Sequence, residues 1–193
     1  RFFENRLNAD EGQHAANYIK QRGLDAAVVK NFRLGYAPRS GLRAVLARKG
    51  FSDDDMIQAG VQGKSDRDGG LYDYFRDRLI FPIENRQGKV IGFGARALGD
   101  AQPKYLNSGE GLTFRKKSML YGWVQAREAI RRKLPLVVVE GYMDVIAVQR
   151  GDVAAALAAL GTALTSEQIA LLWKLHDEPI LCFDGDTAGQ RAQ

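Results

Sequence analysis

Three short apolar runs in the last third of the chain constrain its fold more than any other feature. Leu136-Val137-Val138-Val139 leads directly into Glu140, and Pro179-Ile180-Leu181-Cys182-Phe183 leads directly into Asp184. Between them, Val153 to Leu157 is a candidate strand, although its alanines also suit a helix. Apolar runs of four or five residues, bounded by polar or glycine positions, read as strands buried on both faces. Two helix-length stretches separate them. One covers about residues 142–150 and stops at Gly151; the other covers about 167–175, with Thr165 and Ser166 as its cap. A β-α-β-α-β order implies a parallel sheet with right-handed crossovers.

The preceding residues follow a different pattern. Asp10, with Gln13 three residues on, marks a helix start, and Gly23 a stop. Ser40 to Lys49 reads as a second helix closed by Gly50, and Ser52 with Asp55 opens a third that ends before Gly60. Leu79 to Ile83 and Val90 to Phe93, around the polar turn Asn85-Arg86-Gln87-Gly88, read as a β-hairpin, with Pro82 requiring an edge position or a bulge. Residues 101–120 read as mostly loop, and Tyr121 to Lys133 as a helix closed by Pro135. The domain border falls between Lys133 and Leu136. This gives a basic α/β subdomain over 1–134 and a partial parallel-sheet domain over 135–193.

Charge follows the same division. Residues 72–133 hold 13 basic and 6 acidic side chains, whereas residues 134–193 hold 3 and 8. A basic stretch attracts phosphate backbones, and clustered carboxylates repel one another unless a cation neutralises them. A single cysteine, Cys182, excludes a disulfide framework within the chain and fits a reducing, cytoplasmic home. One Cys and two His leave any metal to oxygen ligands. No apolar run approaches the roughly 20 residues needed to span a bilayer, so no membrane is expected as a partner. Cys182, Trp123 and Trp173 read as packing residues; His14 and His176 read as isolated surface or helix-end positions.

Open parallel sheets bind ligands just beyond the carboxyl ends of their strands. Sequence order therefore places Glu140, Asp184 and Asp186 on one rim, with Asp144 four residues after Glu140 at the start of a helix. Carboxylates so grouped suit Mg²⁺ or Mn²⁺. The bland alternative is that Asp184 and Asp186 only cap the next helix.

Glu140-Gly141-Tyr142-Met143-Asp144-Val145 and Phe183-Asp184-Gly185-Asp186-Thr187-Ala188-Gly189 resemble the two signature motifs of the Toprim fold. Ala159-Leu160-Gly161-Thr162 is similar to the middle-strand motif of its primase branch. Upstream, Phe32-Arg33-Leu34-Gly35-Tyr36-Ala37-Pro38, Arg78-Leu79-Ile80-Phe81-Pro82-Ile83, Gly88 to Arg96 and Pro103-Lys104-Tyr105-Leu106-Asn107-Ser108 are similar to the basic part of DnaG-type bacterial primases. The resemblance implies an α+β and α/β architecture: a mixed basic subdomain followed by a truncated Toprim-like βαβαβ unit.

It also implies a function. Such enzymes make short RNA primers on single-stranded DNA during replication, by metal-dependent nucleotidyl transfer. Carried over residue by residue, Glu140 is the catalytic acid/base, and Glu140, Asp144, Asp184 and Asp186 hold Mg²⁺ or Mn²⁺. Arg78, Arg96, Lys104, Tyr105 and Asn107 form the template and nucleotide surface. The implied partners are single-stranded DNA, ribonucleoside triphosphates, the RNA primer–DNA hybrid and a replicative helicase. A zinc module, the helicase-binding region and a further pair of metal-site aspartates have no counterpart in these 193 residues. The chain is therefore expected to be a piece of a longer enzyme with weak or no activity alone. Other readings remain. They are another Toprim enzyme (a topoisomerase or nuclease) and a single-stranded nucleic-acid-binding module without catalysis. The D-x-D-x-T at Asp184 also fits a haloacid-dehalogenase phosphatase, but that motif normally opens its domain. The G-x-G-x-x-A at Gly92 lacks the acidic residue about 20 positions on that a dinucleotide site needs.

Overall fold

The structure, a computed structural model, describes residues 1–111, 114–161 and 163–185. Asp186, and with it the second half of the D-x-D motif, lies outside the described residues. The chain divides into two compact units: Arg1–Pro82 with Ile91–Phe114, and Ile83–Val90 with the chain from Arg115 onward.

The first unit opens with three short helices, α1 (Phe2–Leu7), α2 (Gln13–Gln21) and α3 (Ala26–Asn31). Asp10 opens a single 3-10 turn before α2 rather than capping it. α3, which the sequence reading missed, is capped by Asp25, whose carboxylate accepts from the Val28 amide. β1 (Gly35–Ala37), α4 (Leu42–Ala47) and α5 (Asp53–Gln58) follow, then β2 (Gln62–Lys64) and β3 (Leu71–Asp73), which pair with each other alone. α5 begins where expected, with the Ser52 hydroxyl and Asp55 carboxylate forming a reciprocal capping box. α4 has no side-chain cap of its own; Asp73, buried on β3, accepts from the Leu42 and Arg43 amides instead.

β4 (Arg78–Glu84), β5 (Val90–Ala97) and β6 (Tyr105–Asn107) complete a four-stranded sheet in the order β1-β4-β5-β6. The expected hairpin is β4–β5, closed by the Asn85 amide donating to the Lys89 carbonyl, with Gly88 at φ +77° in the turn. Pro82 needs no bulge. β1 pairs only with Arg78–Ile80, so Pro82 lies beyond the end of that ladder, where no donor is missed. The core of this unit gathers Phe3, Leu42, Met56, Phe75 and Ile80.

Among the described residues, 101–120 are mostly loop, as expected. They also contain β6, a 3-10 turn at Lys116–Ser118 and the start of β7 (Leu120–Tyr121). The stretch before β7 is held by a distant residue. The Gln168 side-chain amide, 1% exposed, donates to the Lys116 and Met119 carbonyls and fixes that stretch. Tyr121 accordingly belongs to β7, and the helix α6 runs from Trp123 to Arg131. Its N-cap is Gly122 at φ +87°, where a Cβ would come within 2.6 Å of Val145 Cγ1.

The second unit contains β7, α6, β8 (Leu136–Val139), α7 (Tyr142–Arg150), β9 (Ala155–Ala159), α8 (Ser166–Trp173) and β10 (Ile180–Leu181). The alanine-rich run is a strand, not a helix. α8 starts from a Thr165–Gln168 capping box. The sheet order is β10-β8-β9-β7, with β10, β8 and β9 parallel and β7 antiparallel on β9. Its core gathers Leu120, Ala126, Leu136, Val138, Leu157 and Leu172. Two packing expectations fail here. Cys182 is exposed, and Trp173 on α8 is 66% exposed. Among the described residues β10 is the sheet's edge, and apolar residues there have no covering layer.

Candidate metal centre and nucleic-acid surface

The parallel order locates the acidic site. From β8 the chain crosses to β9 on one side, then returns past β8 to β10 on the other. The strand order therefore reverses between β8 and β10, the position where open α/β sheets bind ligands. Glu140 follows β8 and Asp184 lies three residues beyond β10. The two meet: Glu140 Oε1 accepts from the Asp184 amide at 2.6 Å. Asp144 sits in the first turn of α7, where its Oδ2 accepts from the Gly141 amide at 3.1 Å. That bond caps α7 and holds the loop after Glu140 closed. Glu140 is half-buried, while Asp144 and Asp184 are exposed. Among the described residues no group of three or more His, Cys, Asp or Glu is gathered as a metal site. The donor set is nonetheless all carboxylate oxygen, which fits a hard cation such as Mg²⁺ and suits zinc poorly.

The basic candidates lie in the first unit. β5 and β6 pair with Arg96 opposite Tyr105 and Gly94 opposite Asn107. Directly opposed residues share a face, so Arg96, Tyr105 and Asn107 project together. The alternate positions, Ala95 and Leu106, turn to the core. Tyr105 is 43% exposed, and Lys104 is exposed, its carbonyl accepting from the Ala97 amide. Ser108 ends β6 firmly: its Oγ accepts from the Phe93 amide and its own amide donates to the Phe93 carbonyl.

Arg78 is different. It is 5% exposed, and its Nη1 donates to the Pro103 carbonyl at 2.8 Å and more weakly to that of Lys104. Burial lowers its pKa from the ordinary arginine value, yet guanidinium stays charged at any working pH. Arg78 thus supports the backbone that presents Lys104 and Tyr105.

The structure adds neighbours that sequence reading did not include. The Arg96 guanidinium lies over the Tyr18 ring of α2 at 4.3 Å, and Arg22 lies over the same ring at 5.2 Å. Beside them, Asp77 Oδ1 takes both the His14 Nε2 contact at 2.9 Å and the Tyr36 hydroxyl at 3.1 Å, with Arg39 at 3.7 Å from Oδ2. Burial pushes the Asp77 carboxyl up, but His14, Tyr36 and Arg39 outweigh it and hold the pKa below the usual range. Burial, then the Asp77 carboxylate, pushes the Tyr36 phenol up to about 12. No local pattern announces these contacts, because His14 and Asp77 are 63 residues apart.

Comparison with known proteins decides the family. Residues 2–127 match the DNA primase catalytic core, N-terminal domain, and residues 135–193 match the Toprim domain. The chain belongs to the DNA primase catalytic-core family. Among curated relatives, the DNA primase of Pasteurella multocida is 46% identical over 181 residues, covering 92% of this chain and 31% of its own length. That of Halalkalibacterium halodurans is 43% identical over 188 residues, covering 95% of this chain and 31% of the relative. The chain thus spans about a third of such primases. Among solved structures, a DnaG primase catalytic domain bound to ssDNA superposes with a TM-score of 0.85 at 42% identity, covering 99% of this chain and 60% of that one. The RNA polymerase domain of Mycobacterium tuberculosis primase DnaG superposes at 0.89 and 38%, covering 99% and 65%. The primase-core architecture expected from the sequence, a mixed subdomain followed by a Toprim unit, therefore stands.

Proposed function

We propose that this chain is part of an enzyme that synthesises short RNA primers on single-stranded DNA by nucleotidyl transfer. The observation that carries the reading is the Glu140–Asp184 contact at the β8/β10 reversal, in a chain matched almost end to end by primase cores. Division of labour follows the charge: residues 1–134 supply the template and nucleotide surface, and residues 135–193 the acidic rim.

Glu140, Asp144, Asp184 and Asp186 are the residues that would hold Mg²⁺ or Mn²⁺. Bound there, a divalent cation supplies neutralisation of charge on the α-phosphate and the departing pyrophosphate. A carboxylate oxygen of Glu140 takes the proton of the attacking 3′-hydroxyl. Asp144 keeps the Gly141 turn closed, so the Glu140 backbone does not drift. Arg96 and Lys104 neutralise phosphates of the template or the incoming nucleotide. Tyr105 offers a ring to an unstacked base and Asn107 hydrogen-bonds base or backbone. Arg78 orients Lys104 and Tyr105 from beneath. Partners of the whole enzyme are the DNA template, ribonucleoside triphosphates, the primer–template hybrid and a helicase. No helix among the described residues is long and apolar enough to cross a membrane, which suits a cytoplasmic replication enzyme.

The test is template-directed ribonucleotide incorporation by the protein at the full length of its relatives. Glu140→Gln should keep single-stranded DNA binding and lose synthesis by at least about 100-fold, the usual scale for a group acting in the transition state. Undiminished synthesis would refute the assignment. DNA binding without any synthesis in the wild type would point to the binding-module reading.

A further inference from the structure

The tip of the β4–β5 hairpin carries a cationic cluster that none of the residues above includes. The Arg86 guanidinium lies over the Trp123 ring at 4.6 Å. Arg127, one turn further along α6, donates from Nη2 to the Arg86 carbonyl at 2.8 Å. Lys89 closes the same turn through its backbone, and its side chain is exposed. All four residues belong to the second unit.

The cluster differs from an ordinary solvated helix face. Further along and just beyond α6, Arg131 pairs with Glu128 and Arg132 with Asp152, so those charges are cancelled locally. Among the described residues, Arg86, Lys89 and Arg127 make no ion pair. The one carboxylate on the hairpin tip, Glu84, accepts from the neutral Gln125 amide. Two guanidiniums are therefore oriented by neutral partners, a ring and a carbonyl, which fix geometry while leaving full charge. Fixing them in advance lowers the ordering cost of binding.

We propose that Arg86, Lys89 and Arg127 form an accessory contact for a nucleic-acid phosphate backbone, in addition to the contacts proposed for Arg96, Tyr105 and Asn107. The ligand is a phosphodiester rather than a base. The Trp123 ring is covered by Arg86, so it offers no stacking platform, whereas the guanidinium edges present forked donors that match phosphate oxygens. The contact carries no sequence preference. It rests on the reading that this protein handles nucleic acid, and it adds a site to that reading.

The experiment is equilibrium binding of fluorescent poly-dT oligonucleotides between 50 and 200 mM salt. The proteins are wild type, Arg86→Ala/Lys89→Ala/Arg127→Ala, and the single variant Lys89→Glu. Each single-strand phosphate contact contributes about 0.7 to the slope of log affinity against log salt. The triple variant should therefore show a slope shallower by about 2, with affinity reduced about 10-fold or more at the low-salt end. Lys89→Glu, which touches no packing, should weaken binding by several-fold even if the triple variant folds poorly. Wild-type slope and affinity in Lys89→Glu and in a folded triple variant would overturn the proposal. If the wild type bound no oligonucleotide at 50 mM salt, the functional reading itself would fall. A Lys104→Ala/Tyr105→Ala variant separates the two faces: its loss should add to that of the triple variant.

Discussion

Glu140 has two roles that substitution can separate. Its carboxylate supplies charge at the acidic rim, and its Oε1 accepts the Asp184 amide at 2.6 Å, joining the loops after β8 and β10. A hydrogen bond to a charged acceptor contributes about 1.5–3 kcal/mol, and one to a neutral acceptor about 0.5–1.5 kcal/mol. Asp184 is exposed, so water replaces a lost partner and the low end of each range applies. Glu140→Gln keeps an acceptor oxygen and should weaken the link by about 1 kcal/mol. Glu140→Ala removes it and should cost about 1.5 kcal/mol. Hydrogen exchange at the Asp184 amide reads this bond directly, without requiring the two units to unfold together. Protection should fall about 5-fold in the glutamine variant and about 10-fold or more in the alanine variant, since 1.4 kcal/mol is a factor of ten. Mn²⁺ binding by calorimetry should disappear in both. Equal loss of protection in the two variants would mean that the acceptor oxygen is not what holds Asp184. Full Mn²⁺ binding in Glu140→Gln would remove Glu140 from the metal centre.

Arg78→Leu removes a buried guanidinium and leaves the Pro103 carbonyl without its donor; urea unfolding should show a loss of about 2 kcal/mol, and oligonucleotide affinity should fall through disorder of Lys104 and Tyr105. Unchanged stability and affinity would reduce Arg78 to filler. Gly122→Ala combines a left-handed backbone with a 2.6 Å approach to Val145 Cγ1, so a loss of about 2–5 kcal/mol is expected in thermal or urea melts. Stability should also fall with alkali. With its pKa raised to about 12, the Tyr36 phenol favours the folded state in its neutral form. That contribution is complete below pH 10 and is lost as pH rises from 10 towards 12, up to about 2–3 kcal/mol. Tyr36→Phe should flatten this part of the profile, and an unaltered profile would place the alkaline loss elsewhere.

Features written in local sequence were legible. The Ser52–Asp55 start, the Thr165 cap, the β4–β5 turn, and the strand–helix alternation after Leu136 all depend on residues within one or two turns of each other. The meeting of Glu140 and Asp184 was legible for a related reason: a residue just after a parallel strand must lie at that strand's carboxyl end, whatever the rest of the chain does. Contacts made across the chain were not. α4 takes its cap from Asp73, about 30 residues away, and the 116–119 segment is ordered by Gln168, about 50 residues on. Leu120-Tyr121 became a strand because Ala158 and Ala159 offered it an edge, a fact absent from its own two residues. Cys182 and Trp173 are exposed because an apolar residue type does not by itself supply a covering layer.

The arginines show how structure sharpens what a charge count leaves blurred. Arg43, Arg131 and Arg132 are bound to carboxylates, and their charge is spent inside the fold. Arg78 and Arg127 are held by carbonyls, and Arg86 and Arg96 by aromatic rings. A carboxylate partner orients a guanidinium and cancels it; a carbonyl or a ring orients it and leaves it charged. Only the second group can release counterions when a phosphate arrives. Exposed members of that group, Arg86 and Arg127, are placed to touch phosphate themselves, while buried Arg78 acts through the backbone it holds. Replacing Arg132 by alanine should accordingly leave the salt slope of DNA binding unchanged, although Arg132 is as exposed as a binding residue needs to be. A shallower slope in that variant would show that the Asp152 partner yields to phosphate, and that partner charge is the wrong criterion for sorting this surface.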